Sequence, residues 1–373
     1  MGNLGDLPLE AAVAAPEPGS LLSIWPRDVG VFDKASQCFV ITYRSRGIAS
    51  EPIVNSGFVL LPPGEVPEGG WPVVAWAHGT TGVADTCAPS GDYPGGPVHA
   101  YQQLAAHPLN AWLACGYAVV APDYQGLGTP GGHPYINPRS QLHAIVDAVR
   151  ALRSRASTFS TKWYVMGHSQ GGAAAIAVAA AAPADAPELE LRGALSVAPG
   201  GYRYQGIAEY VATHPDVDAH AAAFLPIVLL GAQAADPSLD VMNLLSPEMK
   251  DIVDHARTRC LSQMQSDVKD VPKVVFKPGA DLGPLIDYLG RQSIDEMVPL
   301  VPLLLIQGDQ DKLVDYRGTY AYFQGACEKK APVEFHPMKG ADHHQALIQS
   351  ESLVKGFVDA VENGIFTGNC GAV

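Results

Sequence analysis

Residues 163–180 place an apolar run, a tight turn and an alanine-rich run in direct succession, and this arrangement constrains the fold more than any other part of the chain. The letters are WYVMGHSQGG followed by AAAIAVAA. A short apolar run predicts a buried strand, and the small residues after the turn are typical of a helix. The turn matches G-x-S-x-G, in which a serine stands on a strained strand-to-helix connection, the nucleophile elbow. The pattern predicts that Ser169 is a nucleophile; an N-capping serine in an ordinary tight turn is the alternative.

Short apolar runs and amphipathic segments alternate through most of the chain. Strands are predicted at 38–44 and 53–61 as an opening hairpin, and then at 72–77, 117–122, 162–167, 192–199, 301–308 and 332–337. Helices are predicted at 99–115, after the capping residue Asn137, at 170–182 and at 345–362. Such alternation predicts an α/β fold in which a mostly parallel sheet is covered by helices on both faces.

Five polar, glycine-bearing motifs each follow a predicted strand. They are HGTTG, DYQGLG, GHSQGG, GDQD and GADHH. In parallel sheets the ligand site lies beyond the carboxyl ends of the strands. We therefore expect all five motifs to meet at one edge of the sheet.

The segment 200–298 differs in texture from the rest of the chain and reads as short helices broken by proline and glycine. We predict that it is a helical cap over the active site, inserted into an α/β-hydrolase core formed by 36–199 and 299–373. An independent second domain is the alternative. Residues 1–35 are predicted to be an N-terminal extension.

A serine nucleophile needs a histidine base that a carboxylate orients, in the chain order Ser, Asp or Glu, His for this architecture. His343 and His344 are the histidines that follow the last predicted strand. We favour His343, because His344 would lead into the final helix, but the doublet leaves His344 open.

The sequence LLLIQGDQDKLVD offers three carboxylates, of which Asp311 lies a few residues past the strand end and fits best. Asp309 is the leading alternative, and Asp315 would already lie in the next helix. Turn and helix-cap chemistry is the simpler interpretation of Asp309 and Asp315.

An oxyanion hole is expected from two backbone N–H groups. One belongs to the residue after the nucleophile, here Gln170, and the other comes from the loop after the early strand. Within HGTTG we choose Thr80, with Thr81 as the alternative, and expect a structural role for His78.

The net charge of −14 is spread along the chain, which argues against nucleic acid or an anionic membrane as a partner. The sequence has no run of ~18 apolar residues, the length that a transmembrane helix needs. The first twenty residues lack the basic region of an intact signal peptide. Six cysteines without C-x-x-C spacing argue against a zinc or redox site, and leave free thiols and disulfides equally open.

The motifs AHGTTGVADTCAPS, YAVVAPDYQGLG, GHSQGG and QGDQDKLV, together with the long helical insertion, resemble the secretory lipase family of α/β-hydrolases from about Ser36 to Cys370. The resemblance implies a helical lid, an ester substrate, no cofactor, and Ser169, Asp311 and a histidine of GADHH as the triad. It also implies export and two disulfides. These would join Cys87 to Cys260 and Cys327 to Cys370, leaving Cys38 and Cys115 free.

We therefore predict a serine hydrolase that cleaves small-molecule or lipid esters, secreted or in the cell envelope, with the cytoplasm still open and a monomer plausible. The alternatives are an acyltransferase, a peptidase, or a catalytically silent binding protein with the same fold. The cap sequence AAAFLPIVLLGA could line an acyl tunnel or be a buried cap helix.

Overall fold

A nine-stranded sheet forms the centre of the structure, a computed structural model that describes residues 17–155, 158–206, 209, 219–267 and 274–371. The strands are β1 Leu21–Arg27, β2 Gln37–Arg46, β3 Pro52–Leu61, β4 Trp71–Ala77, β5 Ala118–Pro122, β6 Phe159–His168, β7 Glu190–Val197, β8 Leu303–Gly308 and β9 Val333–Met338. Their order across the sheet is β1-β2-β3-β5-β4-β6-β7-β8-β9. The pairs β1-β2, β2-β3 and β3-β5 are antiparallel. The remaining pairs, β5-β4, β4-β6, β6-β7, β7-β8 and β8-β9, are parallel. The predicted, mostly parallel α/β-hydrolase sheet is confirmed.

The described helices lie in the connections between the parallel strands and after the last strand. They are α1 His99–Ala114, α2 Pro138–Arg153, α3 Gln170–Asp185, α4 Ala219–Ala235, α5 Val241–Leu244, α6 Pro247–Ala256, α7 Leu261–Asp267, α8 Gly283–Arg291, α9 Tyr316–Glu328, α10 Gln345–Ile348 and α11 Glu351–Glu362. The predicted start of α2 is confirmed, since the Asn137 side chain accepts a hydrogen bond from the Ser140 N–H, 2.9 Å away, and Pro138 occupies the first turn.

Each central strand contributes to two cores, because successive side chains point to opposite faces of a sheet. In β4, Val73 and Ala75 pack in the core beneath α2 and α3, whereas Val74 and Trp76 pack in the core beneath α1 and α11. All four side chains are buried. Burial on both faces explains why the strands read as unbroken apolar runs rather than as alternating patterns.

Two elements differ from the sequence-based expectation. Strand β1 was not predicted; it is an edge strand that contains Pro26 and leaves Trp25 54% exposed, so it lacks the apolar run of a buried strand. The single helix predicted at 345–362 is wrong. The structure has α10 and α11 there, separated where the Ser350 hydroxyl donates a hydrogen bond to the Leu347 carbonyl.

Helices α4 to α8 lie between β7 and β8 and bury an apolar cluster of their own, which includes Ile227, Met249 and Leu289. Tyr135 of the core joins that cluster, so the insertion packs onto the sheet domain. The sequence GIAEYVATH at 206–214, which also reads as one of the short helices of this segment, lies almost entirely outside the described residues, and the proposed domain boundaries stay a prediction. In the described part of the chain, no helix has both the length and the apolar character to span a membrane.

Two disulfides join Cys87 to Cys260 and Cys327 to Cys370, as the family resemblance implied. Cys38 and Cys115 are free thiols. The first disulfide ties the insertion to the loop after β4, and the second ties α9 to the C-terminal segment.

Candidate active site

Ser169 stands between β6 and α3 in a strained backbone conformation, with φ 59° and ψ −116°. Non-glycine residues rarely adopt such angles, and the strain costs of the order of 1–3 kcal/mol, so the surroundings must impose it. The Ser169 N–H donates to the Val197 carbonyl at 2.9 Å, which fixes the turn against β7. Helix α3 begins at the next residue, and its N-terminal dipole favours negative charge near the serine.

The glycines of the elbow are required by close backbone approach. A Cβ at Gly167 would lie 1.9 Å from the Gly171 carbonyl oxygen, and a Cβ at Gly171 would lie 1.8 Å from the Ala77 carbonyl oxygen. A side chain at either position would therefore collide with backbone atoms that pack against the elbow.

Asp311 and His343 form a buried pair, in which His343 Nδ1 donates to Asp311 Oδ2 at 2.7 Å. The Asp311 side chain is wholly shielded from solvent. Its Oδ1 accepts the N–H groups of Leu313 and Val314, and its Oδ2 also accepts the Gln307 amide at 2.8 Å. Burial alone would raise the pKa of Asp311, but these hydrogen bonds and the attraction of His343 outweigh it and hold the pKa below its usual range. The carboxylate thus stays charged, and His343 Nε2 is left to accept a proton.

The alternative residues do other work. Asp309 Oδ1 accepts the Gly340 N–H at 2.7 Å, and Asp315 caps α9 by accepting the Arg317 N–H. His344 is the N-cap residue of α10. Asp315 therefore has the helix-cap chemistry expected of it, whereas Asp309 bonds to the loop after β9, and the structure brings Asp311 together with His343.

The loop that carries His343 lies directly against the nucleophile elbow. His168, the residue before Ser169, places its Nε2 3.0 Å from the His343 carbonyl oxygen. The two imidazole rings have centroids 4.6 Å apart. Positions 168 and 343 are far apart in sequence, and the fold joins them at the carboxyl edge of the sheet.

The HGTTG loop lies at the same edge and is held by side chains from several elements. The Thr80 hydroxyl is 2.7 Å from the Tyr135 hydroxyl, and the Gly79 N–H donates to Tyr101 Oη at 2.5 Å. The Thr81 hydroxyl is buried and has no hydrogen-bond partner among the described residues. The Thr81 carbonyl accepts the N–H of Leu261, a residue of the insertion, at 2.7 Å.

Two buried side chains complete this region. Gln170 Nε2 lies 3.3 Å from His133 Nε2, so the amide donates to the ring nitrogen. His78 lies between the carbonyls of Gly79 and Asp123, and burial lowers its pKa to about 4. A neutral ring in this place fits the structural role predicted for His78.

A cavity of about 790 Å³ opens over Ser169 and Gln170. Most of its wall is apolar and comes from the insertion, including Phe224, Val228 and Leu289. Its volume lies in the range of sites that hold small organic ligands. The described residues contain no group of three His, Cys, Asp or Glu side chains that could hold a metal ion.

Sequence reasoning missed Gln307, Tyr101 and Tyr135 as members of the site. Gln307 is the penultimate residue of β8, where a buried amide four residues before Asp311 could have been noticed. Neither tyrosine belongs to a recognisable motif, and their contacts exist only after folding.

Comparison with known proteins gives one consistent result. A family model described as secretory lipase matches residues 100–355. A Mycobacterium tuberculosis protein named a probable inactive lipase is 25% identical over 353 residues, 87% of this chain and 74% of its own length. Lipase A of Moesziomyces aphidis is 25% identical over 359 residues, 87% of this chain and 71% of its own.

The solved structure of Candida antarctica lipase A in its closed state superposes with a TM-score of 0.79 at 20% identity, covering 96% of this chain and 87% of that one. At this identity the superposition supports the fold alone. The family match spans the elbow serine and the Asp311–His343 pair and covers well over half of the chain. The chain belongs to the secretory lipase family.

Proposed function

We propose that the protein hydrolyses carboxylic esters through an acyl-enzyme intermediate on Ser169. The observation that carries the proposal is the 2.7 Å bond between His343 Nδ1 and Asp311 Oδ2, in a loop that lies against the strained elbow. A serine hydroxyl is a weak nucleophile until an adjacent base removes its proton, and a histidine oriented by a carboxylate is such a base.

In this mechanism Ser169 Oγ attacks the ester carbonyl while His343 Nε2 takes the hydroxyl proton. Asp311 holds the ring in the tautomer that leaves Nε2 free and stabilises the imidazolium that forms. The N–H groups of Thr80 and Gln170 receive the oxyanion. His343 then protonates the leaving alcohol, and a water molecule that His343 deprotonates releases the acid.

The proposal is tested with p-nitrophenyl butyrate. Turnover is expected in the wild type and should be lost in Ser169→Ala, whereas Ser266→Ala, which changes an exposed serine of α7, should behave as the wild type. Because one relative is named a probable inactive lipase, a second readout is needed, and labelling by a fluorophosphonate probe supplies it. A wild type that neither turns over nor takes the label would favour a catalytically silent protein.

We further propose that the acyl chain of the substrate lies in the apolar cavity formed with the insertion, which acts as a cap. Leu289 is buried in α8 and lines the cavity, so Leu289→Trp would fill part of it. The variant should lose activity on p-nitrophenyl octanoate and keep activity on the acetate. An equal loss on both esters would contradict this placement of the acyl chain.

We also propose that the protein works outside the reducing cytosol, since disulfides persist in oxidising compartments. Two disulfides and two free cysteines predict two titratable thiols in the denatured protein purified from its source. The titration must follow denaturation, because burial raises the pKa of the Cys38 thiol to about 11. Finding six thiols would contradict export.

A further inference from the structure

A continuous series of hydrogen bonds connects the HGTTG loop to the loop of His343 through the residue that precedes Ser169. The Gly79 N–H donates to Tyr101 Oη at 2.5 Å, and Tyr101 Oη lies 3.3 Å from His168 Nδ1. His168 Nε2 lies 3.0 Å from the His343 carbonyl oxygen. The two loops that the proposed function uses for the oxyanion and for the base are thus joined across the elbow.

The protons of this series can be placed in one way only. A carbonyl oxygen only accepts, so His168 Nε2 must carry the proton that goes to His343. In a neutral ring Nδ1 then accepts, and the Tyr101 hydroxyl donates to it. The Tyr101 oxygen in turn accepts the Gly79 N–H. Every donor has an acceptor, and this holds only while the ring of His168 is neutral.

The surroundings keep that ring neutral. His168 is 1% exposed, and burial, assisted by repulsion from His343, lowers its pKa well below its usual range. The rings of His343 and His344 have centroids 4.6 and 5.9 Å from it, and Tyr101 stacks on it at 6.1 Å. A neutral ring can remain beside His343 when that base becomes an imidazolium, whereas a charged one would repel it.

We propose that His168 and Tyr101 are positioning residues, which set the distance between the oxyanion loop and the base loop and so align both with Ser169. The inference rests on the proposed ester hydrolysis. Neither side chain needs to touch the substrate. Their effect reaches the reaction through the backbone of Gly79, next to the donor Thr80, and through the backbone of His343. Displacement of a reacting group by about 1 Å can cost of the order of a hundredfold in rate.

The test is Tyr101→Phe, which keeps the ring and removes the hydroxyl that two of the bonds share. Its control is Tyr43→Phe, which removes the hydroxyl of a more deeply buried tyrosine outside this series of hydrogen bonds; Tyr43 donates that hydroxyl to the Ala144 carbonyl at 2.8 Å, beneath α2. With p-nitrophenyl butyrate, Tyr101→Phe is expected to lower kcat about tenfold with KM changed less than about twofold. Tyr43→Phe is expected to leave both constants within about twofold of the wild type. A fall in kcat for Tyr101→Phe no larger than that for the control overturns the inference.

A second variant, His168→Gln, tests whether the two side chains act as one unit. Residues of one network show non-additive losses, so the double variant should lose little more kcat than the worse single variant, and additive losses would overturn the coupling. Ser169→Ala separates this result from the proposed function, because unchanged turnover in that variant rejects the hydrolysis mechanism itself. If the wild type turns over no ester, the rate of fluorophosphonate labelling replaces kcat, and equal labelling of Tyr101→Phe and Tyr43→Phe overturns the inference.

Discussion

Gly171→Ala is a direct test of the packing that places the proposed oxyanion loop. A Cβ at this position would lie 1.8 Å from the Ala77 carbonyl oxygen and 2.7 Å from that of His78, both of which are backbone atoms. Real Cβ atoms almost never come within 3.0 Å of such atoms, so the end of β4 and the elbow must separate by about 1.2 Å. No side-chain rotation can relieve this contact.

Two consequences follow from that displacement. Overpacking a rigid core commonly costs 1–3 kcal/mol, and since two backbone segments must move here, we expect a loss of about 3 kcal/mol in the free energy of unfolding. The HGTTG loop follows β4 directly, so Thr80 should move away from Ser169. A 1 Å misplacement is sufficient for about a hundredfold loss in kcat/KM.

The assay compares Gly171→Ala with Gly356→Ala by chemical denaturation and by hydrolysis of p-nitrophenyl butyrate. Gly356 lies within α11 and has open space around the position of a Cβ. Alanine is the better helix former there, so the control should gain roughly 0.5–1 kcal/mol and keep its activity. If Gly171→Ala were as stable and as active as Gly356→Ala, the steric account of the elbow would be wrong.

Three further predictions concern the proposed base, the cap disulfide and the response to acid. Asp311→Asn places an amide that can donate a hydrogen bond opposite His343 Nδ1, which is itself a donor, and should lower the kcat of ester hydrolysis by about 10³–10⁴-fold. The control Asp309→Asn should change kcat in the same assay by less than about threefold. Cys260→Ser opens a longer covalent loop than Cys370→Ser, so it should lower the free energy of unfolding by more in denaturant titrations, by up to about 5 kcal/mol. It should also reduce kcat, because the adjacent Leu261 bonds to the oxyanion loop. Equal kcat in both variants would contradict that link. Burial lowers the pKa of three fully buried histidines around the site, while histidines of the unfolded chain titrate near pH 6.5. The unfolded chain therefore binds more protons in mild acid, and the free energy of unfolding should fall by about 1.4 kcal/mol per pH unit for each of these histidines as the pH drops from about 6.5 toward 4. The three residues are His78, His133 and His168. Denaturation midpoints that do not change between pH 7 and pH 5 would contradict this.

Much of the fold could be predicted from the sequence because strands buried on both faces and small-residue turns leave strong local signals. Asp311 and His343 could be chosen because each stands a few residues past the end of a predicted strand, where parallel topology brings side chains to a common edge. Strand β1 could not be predicted from the sequence. It lies at the edge of the sheet with one neighbouring strand, and part of it is exposed, so its sequence shows no continuous apolar run.

The supporting side chains lie beyond such reasoning for a different reason. Tyr101 lies in the first turn of α1 and belongs to no motif, but its hydroxyl meets His168 across 67 positions of sequence. Only the packing of α1 against β6 determines that contact. Local pattern thus predicts which residues carry chemistry, whereas the residues that hold them in place depend on packing between distant elements.

The point where the insertion joins the core bears on how the proposed cap could uncover the cavity. Gly82 pairs with Cys260 in an antiparallel bridge, the adjacent Leu261 bonds to Thr81, and the disulfide to Cys87 closes the same place covalently. This end of the cap therefore cannot leave the core without displacing the loop that the proposed mechanism uses for the oxyanion. Helix α8 lines the cavity through apolar side chains, and Gln292 at its C-terminal end accepts a buried hydrogen bond from the Asn137 side chain of the core at 3.0 Å. We therefore expect an opening that preserves the reactive geometry to hinge near Cys260 and, where α8 moves off the core, to break the hydrogen bond between Asn137 and Gln292.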